Sequence, residues 1–422
     1  MVDLLQWAYP EDIPGSRCSP EDGPWPRAFY LLADEEIWDE FQRVADPSSI
    51  RLNGHWQADG VNFQPSPMAT TQDRYVLKQL DIHGQLWTLT GVFDGHLGEE
   101  TVAHVAHHLP IIVEEFLQKF IPGTDPNQKL SPAFVSGLFS RCIVEFDDAI
   151  AGDILRLFGG SDNLDRFSDQ EIREVINDQE KGGDNYKKAR LCMYGTTALV
   201  SLIDPDRENL WVANLGDCQA VLVSPKGTDE WDIDFITTEH NCDSDAEIER
   251  VIREHPGEPE CVVNGRVLGA LAPTRGLGDV PFKQPPSFTR RILYNLAPGF
   301  SDTAPWEICL ARNLTPPYIS AKAEITHRRI ARHSKSSRPH FLVLASDGFT
   351  ELCSASGREQ ILAAWAAQEA NSCSPTHRRG NMASRLLRQA LGGENRATVS
   401  CMLTLDMEGS WVDDTAIVVQ TL

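Results

Sequence analysis

The chain has 422 residues, and 61 acidic against 38 basic side chains give it a formal net charge of −23. Such a negative surface repels phosphate backbones and anionic lipids, which disfavours a nucleic-acid-binding or membrane-surface protein. Hydrophobic residues make up 41 % of the chain, enough to bury a large core in one or two domains. The ten cysteines form no C-x-x-C pair, which is typical of reduced thiols in an intracellular protein rather than of a zinc or redox site.

The first half of the chain begins with a segment of irregular pattern. Residues 1 to about 65 are rich in proline, tryptophan and acids, and we expect an N-terminal extension that wraps the surface of the domain. Two apolar runs, Arg74–Leu80 and Leu86–Phe93, are joined by a short polar link that predicts a hairpin. Apolar residues at helical spacing then predict helices over Thr101–Phe120 and Ala133–Phe158.

The second half mixes short strands and helices without regular alternation. We interpret the polar stretch Ser161–Arg190 as a surface insertion and the proline-rich stretch Gln284–Pro317 as an irregular excursion. The predicted strands are Thr196–Ile203, Leu210–Asn214, Ala220–Val223, Phe341–Ala345, Val399–Leu405 and Thr415–Leu422. The predicted helices are Ala246–Arg253, Ile361–Ala367 and Met382–Leu391. Short strands in hairpins with helices between them favour an α+β fold over a doubly wound α/β fold.

Acidic residues stand at the ends of several predicted strands. Asp94 directly follows an apolar strand, and Asp347 follows another after one serine. Asp217 follows a third after one glycine, and Asp413 stands just before the last. Any one Asp-Gly pair is ordinary turn chemistry, but several carboxylates converging on one sheet edge are costly to bury unless cations lie between them. Oxygen ligation by aspartate suits Mg²⁺ or Mn²⁺, and two bridged ions can activate a water and hold a phosphoryl group.

Six motifs, in order, resemble the type 2C, metal-dependent Ser/Thr protein phosphatases. They are Gly91–Gly98 (GVFDGHLG), Gly195–Val200 (GTTALV), Val212–Leu222 (VANLGDCQAVL), Thr274–Asp279 (TRGLGD), Leu344–Phe349 (LASDGF) and Asp413–Val419 (DDTAIVV). The resemblance covers roughly residues 66 to 422, which we expect to form the phosphatase-like domain. Two segments, Leu268–Lys283 and Pro316–Thr326, are most similar to the pyruvate dehydrogenase phosphatase branch.

The resemblance implies a fold and a metal site. The fold is a four-layer α/β/β/α sandwich with two central antiparallel sheets and a two-metal site at one end. Asp94 would bridge two Mg²⁺ or Mn²⁺ ions, and the carbonyl of Gly95 would bind the second. Asp347 and Asp413 would complete the first.

The resemblance also implies a reaction, the hydrolysis of phosphoserine and phosphothreonine in phosphoproteins by a metal-activated water. His96 would be the general acid that protonates the leaving oxygen. Asp217 and Glu351 fall where some members hold a third, weaker metal.

The sequence departs from the family pattern at two places. Gln72-Asp73 stands where the family usually has Glu-Asp, a pair that we include among the candidate metal ligands. Because the Glu contributes to the second metal, Gln72 predicts weaker binding of that ion. Met68 stands where many members carry an arginine that grips the substrate phosphate. Arg74 and Arg275 are candidate replacements, but we expect both to pair with acids of the scaffold.

Other chemistry finds less support in the residues. His104, His107 and His108 could present a metal site on a helix, but a solvated helix face is the favoured interpretation. A phosphatase with a nucleophilic cysteine needs a C-x₅-R cradle, and counting from Cys218 places Ser224 at the arginine position. The sequence also has no P-loop and no G-x-S-x-G elbow, so NTPase and α/β-hydrolase readings lack support.

Two alternatives stay open. A catalytically weak or silent phosphatase-like regulatory protein would suit Gln72, and a phosphatase of small phosphate esters would share the same site. We expect a phosphoprotein partner, no nucleic acid, no membrane span and a monomer. Five acids among the first 30 residues are untypical of a transit peptide, so we expect the cytoplasm or nucleus, with the mitochondrion kept open by the resemblance.

Overall fold

The structure, a computed structural model, describes residues 5–52, 56–121, 130–227, 230–330, 338–371 and 379–422. The first strands in these ranges are β1 (Leu5–Ala8), β2 (Arg27–Tyr30), β3 (Ser48–Arg51), β4 (Gln57–Phe63), β5 (Asp73–Ile82), β6 (Gln85–His96), β7 (Gly195–Thr196), β8 (Ala198–Ile203) and β9 (Asn209–Leu215). The remaining strands are β10 (Gln219–Lys226), β11 (Glu230–Phe235), β12 (Val262–Val263), β13 (Arg266–Val267), β14 (Leu277–Gly278), β15 (Glu324–Arg329), β16 (Phe341–Ala345) and β17 (Thr415–Thr421).

The helices lie between these strands in clusters. Those before β10 are α1 (Asp34–Val44), α2 (Glu100–Phe120), α3 (Pro132–Leu157), α4 (Asp169–Ile176) and α5 (Asp184–Leu191). Those after β11 are α6 (Asp245–Glu254), α7 (Val280–Lys283), α8 (Pro286–Arg291), α9 (Ala304–Arg312), α10 (Asp347–Leu352), α11 (Arg358–Asn371), α12 (Met382–Ala390) and α13 (Arg396–Thr404). None of the helices in the described ranges is both long and apolar enough to cross a membrane.

Two antiparallel sheets dominate the described residues. One has six strands in the order β11-β10-β16-β17-β4-β3. The other has seven strands, ordered β14-β7-β6-β8-β9-β15, with β5 paired to β6. The predicted hairpin is confirmed as β5 and β6, and the mixed fold with antiparallel sheets agrees with the α+β prediction.

Alternation along the strands explains why β16 is wholly apolar. Phe341, Val343 and Ala345 belong to a core cluster shared with α1, α11, α12 and α13. Leu342 and Leu344 belong to a different cluster, which also contains residues of the seven-stranded sheet. Because successive side chains point to opposite faces of a strand, both faces of β16 are buried and every position must be apolar. A further cluster joins the seven-stranded sheet to α2 and α3.

The predicted strand at Val399–Leu405 is wrong, because residues 399–404 lie in α13 and Leu405 directly follows it. The side chain of Asn395 caps this helix by accepting a hydrogen bond from the backbone N–H of Thr398 at 3.2 Å. Residues Val399 to Leu403 are all buried, so the run shows no amphipathic period. A short apolar run of this kind does not distinguish a buried strand from a buried helix.

Three segments for which no helix or strand was predicted contain regular elements. The first 65 residues do not merely wrap the surface, since they supply β3 and β4 to the six-stranded sheet and bury Ile37 and Phe41 of α1. The polar stretch 161–190 contains α4 and α5 and buries apolar side chains such as Ile172. The stretch 284–317 contains α8 and α9.

Candidate metal centre

The ends of strands from both large sheets bring five aspartates together. Asp73 begins β5 and pairs in register with Asp94 near the end of β6. Asp347 begins α10 shortly after β16, and Asp413 lies just before β17, the strand that pairs with β16. Asp94 is close enough to interact electrostatically with Asp73, Asp347, Asp217 and Asp413. The predicted convergence of these acids is therefore present in the structure.

Glycines after two of these aspartates allow the close approach of the strand ends. A Cβ atom on Gly95 would lie 2.6 Å from the carbonyl oxygen of Gln72 and 2.7 Å from Cγ1 of Val102. A Cβ atom on Gly348 would lie 2.1 Å from the carbonyl oxygen of Asp414. Real Cβ atoms do not approach so closely, so the two Asp-Gly pairs meet a packing requirement of this site rather than only a turn preference.

Burial and mutual repulsion make these carboxyl groups hard to ionise. Burial, with neighbouring carboxylates, raises the pKa of Asp73 and of Asp413 to about 8. It raises the pKa of Asp217 to about 6 and that of Asp94 well above its usual range. The pKa of Asp347 is also raised, chiefly by burial and then by Glu351. A centre of this kind is short of positive charge.

Hydrogen bonds fix the carboxyl group of Asp73 in the centre and bind that of Asp414 outside it. Oδ2 of Asp73 accepts a hydrogen bond from the backbone N–H of Ala416 at 2.9 Å. Asp414, by contrast, accepts from Gln64 Nε2 and from the backbone N–H of Gln72, both at 2.7 Å. Its two oxygens therefore tie β17 to the segment before β5. Of the neighbouring pair, Asp413 is left for the centre.

Two buried oxygens near the centre lack partners. Among the described residues, Oε1 of Gln72 and Oδ1 of Asp217 are buried and have no hydrogen-bond partner. The other oxygen of Asp217 accepts from Asn241 Nδ2 at 3.2 Å. Unpaired buried oxygens beside clustered carboxylates are the donor set of a hard divalent cation. The residues present thus fit Mg²⁺ or Mn²⁺.

Arg17, for which the sequence predicted no role, contacts acids of the candidate metal centre. Oxygen atoms of Asp347, Glu351 and Asp413 all lie within 4.8 Å of one another. Arg17 donates from Nε and Nη2 to the two carboxylate oxygens of Glu351, each at 2.9 Å, and also contacts Asp413. The contacts join residues more than 300 positions apart, so no local pattern could have revealed them.

His96 is held by Asp279, a motif residue for which the sequence predicted no role. Nε2 of His96 lies 2.6 Å from Oδ1 of the buried Asp279. Burial alone would lower the pKa of His96, but the carboxylate of Asp279 outweighs it and the net shift is upward. Asp279 has a positive φ of 52°, and a Cβ atom on Gly195 would lie 2.1 Å from its carboxylate. Asp279, the last residue of the TRGLGD motif, is thus tightly packed beside His96.

The remaining candidates behave as scaffold. Arg74 pairs with Glu99 at 3.0 Å and Arg275 with Glu247 at 2.6 Å, which confirms the prediction that both pair with acids of the scaffold. Met68 is 78 % exposed. Within the described ranges, Asp347, Glu351 and Asp413 form the one group with metal-ligand spacing, and the three histidines of α2 are not part of it.

Comparisons with known proteins agree with the motifs. A family model described as Protein phosphatase 2C matches residues 156–389. The mitochondrial pyruvate dehydrogenase (acetyl-transferring) phosphatase 1 of Saccharomyces cerevisiae is 27 % identical over 272 residues, which are 62 % of this chain and 41 % of that protein. The bovine phosphatase of the same name is 34 % identical over 169 residues, 40 % of this chain and 30 % of that one.

A relative that matches more of the chain is also a protein phosphatase 2C homologue. A protein phosphatase 2C homologue of Schizosaccharomyces pombe is 27 % identical over 339 residues, covering 76 % of this chain and 69 % of that protein. The chain therefore matches less than half the length of the pyruvate dehydrogenase phosphatases and about two thirds of the fission yeast homologue. These similarities confirm the predicted resemblance to type 2C phosphatases and to the pyruvate dehydrogenase phosphatase branch.

Proposed function

Because the chain belongs to the protein phosphatase 2C family, we propose that it is a Mg²⁺- or Mn²⁺-dependent phosphatase of phosphoserine and phosphothreonine in proteins. The observation that supports this most is the convergence of Asp94 with Asp73, Asp347 and Asp413 in a buried centre short of positive charge. Carboxylates that repel one another in a buried place destabilise a fold unless cations bind between them.

The proposed architecture is the four-layer α/β/β/α sandwich with two metal ions at one end. It is supported by the core cluster shared between the two sheets and by the clusters that join each sheet to its own helices. Asp94, Asp347 and Asp413 would hold the first ion. Asp94 and the carbonyl of Gly95 would hold the second.

The remaining ligand candidates flank this pair. Gln72 and Asp73 would stand beside the second ion, and Asp217 with Glu351 would hold a weaker third. Such ions, when bound, supply an activated water and neutralise charge on the phosphoryl group. The protein itself fixes where these ligands stand, through the hydrogen bond from Ala416 to Asp73 and the glycines that admit the strand ends.

His96 is the proposed proton donor. Its ring contacts Asp279, whose carboxylate favours the charged imidazolium and fixes the ring by its bond to Nε2. The ring is partly exposed, with 19 % of its side-chain surface accessible, so a leaving alkoxide can reach it. A raised pKa favours the protonated imidazole, the form in which a general acid gives its proton to the departing serine or threonine oxygen.

Hydrolysis by the purified full-length chain tests this function. We expect it to release phosphate from a phosphothreonine peptide with Mn²⁺, and EDTA to abolish the release. Asp94→Asn should reduce the rate at least roughly 100-fold, more than the loss of an outer-shell partner costs. Asp232→Asn, on the exposed side of β11, removes the same charge and serves as the control.

The outcomes separate the candidate functions. No hydrolysis at any Mn²⁺ concentration, with binding of the phosphopeptide retained, would favour a silent regulatory protein. Faster turnover of small phosphate esters than of phosphopeptides would favour the ester phosphatase. Activity retained in Asp94→Asn would refute the metal assignment.

Substrate, assembly and compartment are proposals that rest on the same family. We expect a monomer acting on phosphoproteins, with basic residues near the phosphosite because the net charge is −23. Two of the relatives are named mitochondrial, so the mitochondrion is a compartment to be tested beside the cytoplasm and nucleus. Phosphoproteomics after deletion, compared with the location of a tagged chain, would distinguish them.

A further inference from the structure

A short N-terminal segment, residues 13–18, lies against the candidate metal centre, and we call it the strap. A Cβ atom on Gly15 would come within 2.9 Å of the backbone of Glu351, so the strap packs tightly on α10. The backbone N–H of Arg17 donates to the carbonyl oxygen of Trp411 at 2.9 Å. Trp411 precedes Asp413 by two residues. The strap is therefore fixed between two elements that carry acids of the centre.

The side chain of Arg17 uses the oxygens that a metal ion would use. Its guanidinium donates two hydrogen bonds to Glu351 and contacts Oδ2 of Asp413. Oxygen atoms of these two acids and of Asp347 are grouped within 4.8 Å. A guanidinium and a divalent ion cannot both occupy the space between the same carboxylates.

We propose that Arg17 is a built-in cation that competes with metal ions for Asp413 and Glu351, so that the strap limits how readily the centre takes up metal. The proposal rests on the proposed function, because it requires these acids to bind a metal. Arg17 brings one positive charge, where a divalent ion brings two. Its side chain is 47 % exposed, so once released it regains its hydration at little cost. Metal therefore displaces Arg17 at sufficient concentration, but binds less tightly than it would to free acids.

Displacement also has a structural consequence. The contacts of the Arg17 side chain are among those that hold the strap on α10, together with the packing of Gly15 and the bond to Trp411. When metal takes the carboxylates, the strap loses these side-chain contacts. Its backbone should then exchange hydrogen faster.

The first measurement is calorimetric titration of Mn²⁺ into the metal-free full-length chain. We expect Arg17→Gln to bind Mn²⁺ about fivefold more tightly than the wild type, which corresponds to an ion pair at a partly exposed site. Arg27→Gln is the matched control: it removes the same charge from the same region, and its guanidinium donates to the carbonyl of Asp22. It should bind Mn²⁺ as the wild type does.

The second measurement is amide hydrogen exchange of the wild type with and without Mn²⁺. Faster exchange at residues 15–18 on adding Mn²⁺ supports the competition, and unchanged or slower exchange overturns it. Unchanged Mn²⁺ affinity in Arg17→Gln overturns it too, and a raised KM for phosphopeptide would then mean that Arg17 contacts the substrate phosphate. If the wild type binds no Mn²⁺, the proposed function itself fails, which is a distinct result.

Discussion

Buried acids in two regions of this protein, α6 and the candidate metal centre, have opposite charge environments. Glu247 of α6 is 5 % exposed and is fully paired: Arg275 donates to it at 2.6 Å, Arg250 at 2.9 Å and the hydroxyl of Thr274 at 2.6 Å. Burial alone would raise its pKa, but these bonds hold the pKa well below its usual range. The fold itself supplies the positive charge.

The candidate metal centre has the opposite balance. Asp94 is surrounded by four other aspartates, and the pKa of each of the five is raised. Of these five, Asp413 is also paired with Arg17, which in addition binds Glu351. The difference teaches that clustered buried carboxylates are left with too few internal cations where an external cation is to bind, and are fully paired within the chain where they only hold the scaffold together.

The largest expected effect comes from removing one charge from each region. Glu247→Gln removes the carboxylate that two partly buried arginines, Arg250 and Arg275, share, and should lower the free energy of unfolding by about 3 kcal/mol. Asp94→Asn should instead raise the melting temperature of the metal-free protein, because it relieves repulsion. Denaturant titration and thermal melts in EDTA measure both. Glu249→Gln, on the exposed face of the same helix, is the control, and equal destabilisation by Glu247→Gln and Asp94→Asn would break the comparison.

A smaller effect is expected from Asp279→Asn, which keeps the size of the side chain but removes the carboxylate beside His96. We expect kcat to fall about 10- to 100-fold with little change in KM. A general acid must be protonated, and its rate falls as pH rises through its pKa. Since Asp279 raises the pKa of His96, its loss should move that fall to lower pH. An unmoved pH profile would leave Asp279 a merely structural residue.

A smaller change still is expected from Gln72→Glu, which adds the carboxylate that this centre lacks. The Mn²⁺ concentration needed for half-maximal activity should fall about tenfold, because a carboxylate is a stronger ligand for a hard cation than an amide oxygen. Gln79→Glu adds the same charge at an exposed position of β5 and should change nothing. An identical metal requirement in both variants would sink the interpretation of Gln72.

Most aspartates of the candidate metal centre could be predicted because each lies in a recognisable local sequence pattern. Asp94, Asp347 and Asp413 each stand beside an apolar strand, and strands that pair must bring their ends together. Asp279 was visible in its motif, but its partner is His96, 183 positions away. Arg17 carried no signal at all, since only the three-dimensional path of the first residues brings it to Glu351. Helix α13 was missed because burial on all sides erases the period that distinguishes helix from strand.

The most direct test of the central claim, that the clustered aspartates are the binding site of a divalent cation, is to count protons released when Mn²⁺ binds the metal-free protein. With pKa values of about 8 for Asp73 and Asp413, both are largely protonated at pH 6.5, so metal must displace protons there. Calorimetry in buffers of different ionisation enthalpy should show proton release at pH 6.5, and less proton release with tighter Mn²⁺ binding at pH 8.5. Asp94→Asn should lose Mn²⁺ binding, whereas Asp232→Asn should keep it. Binding without proton release, or equal binding by Asp94→Asn, would contradict the claim.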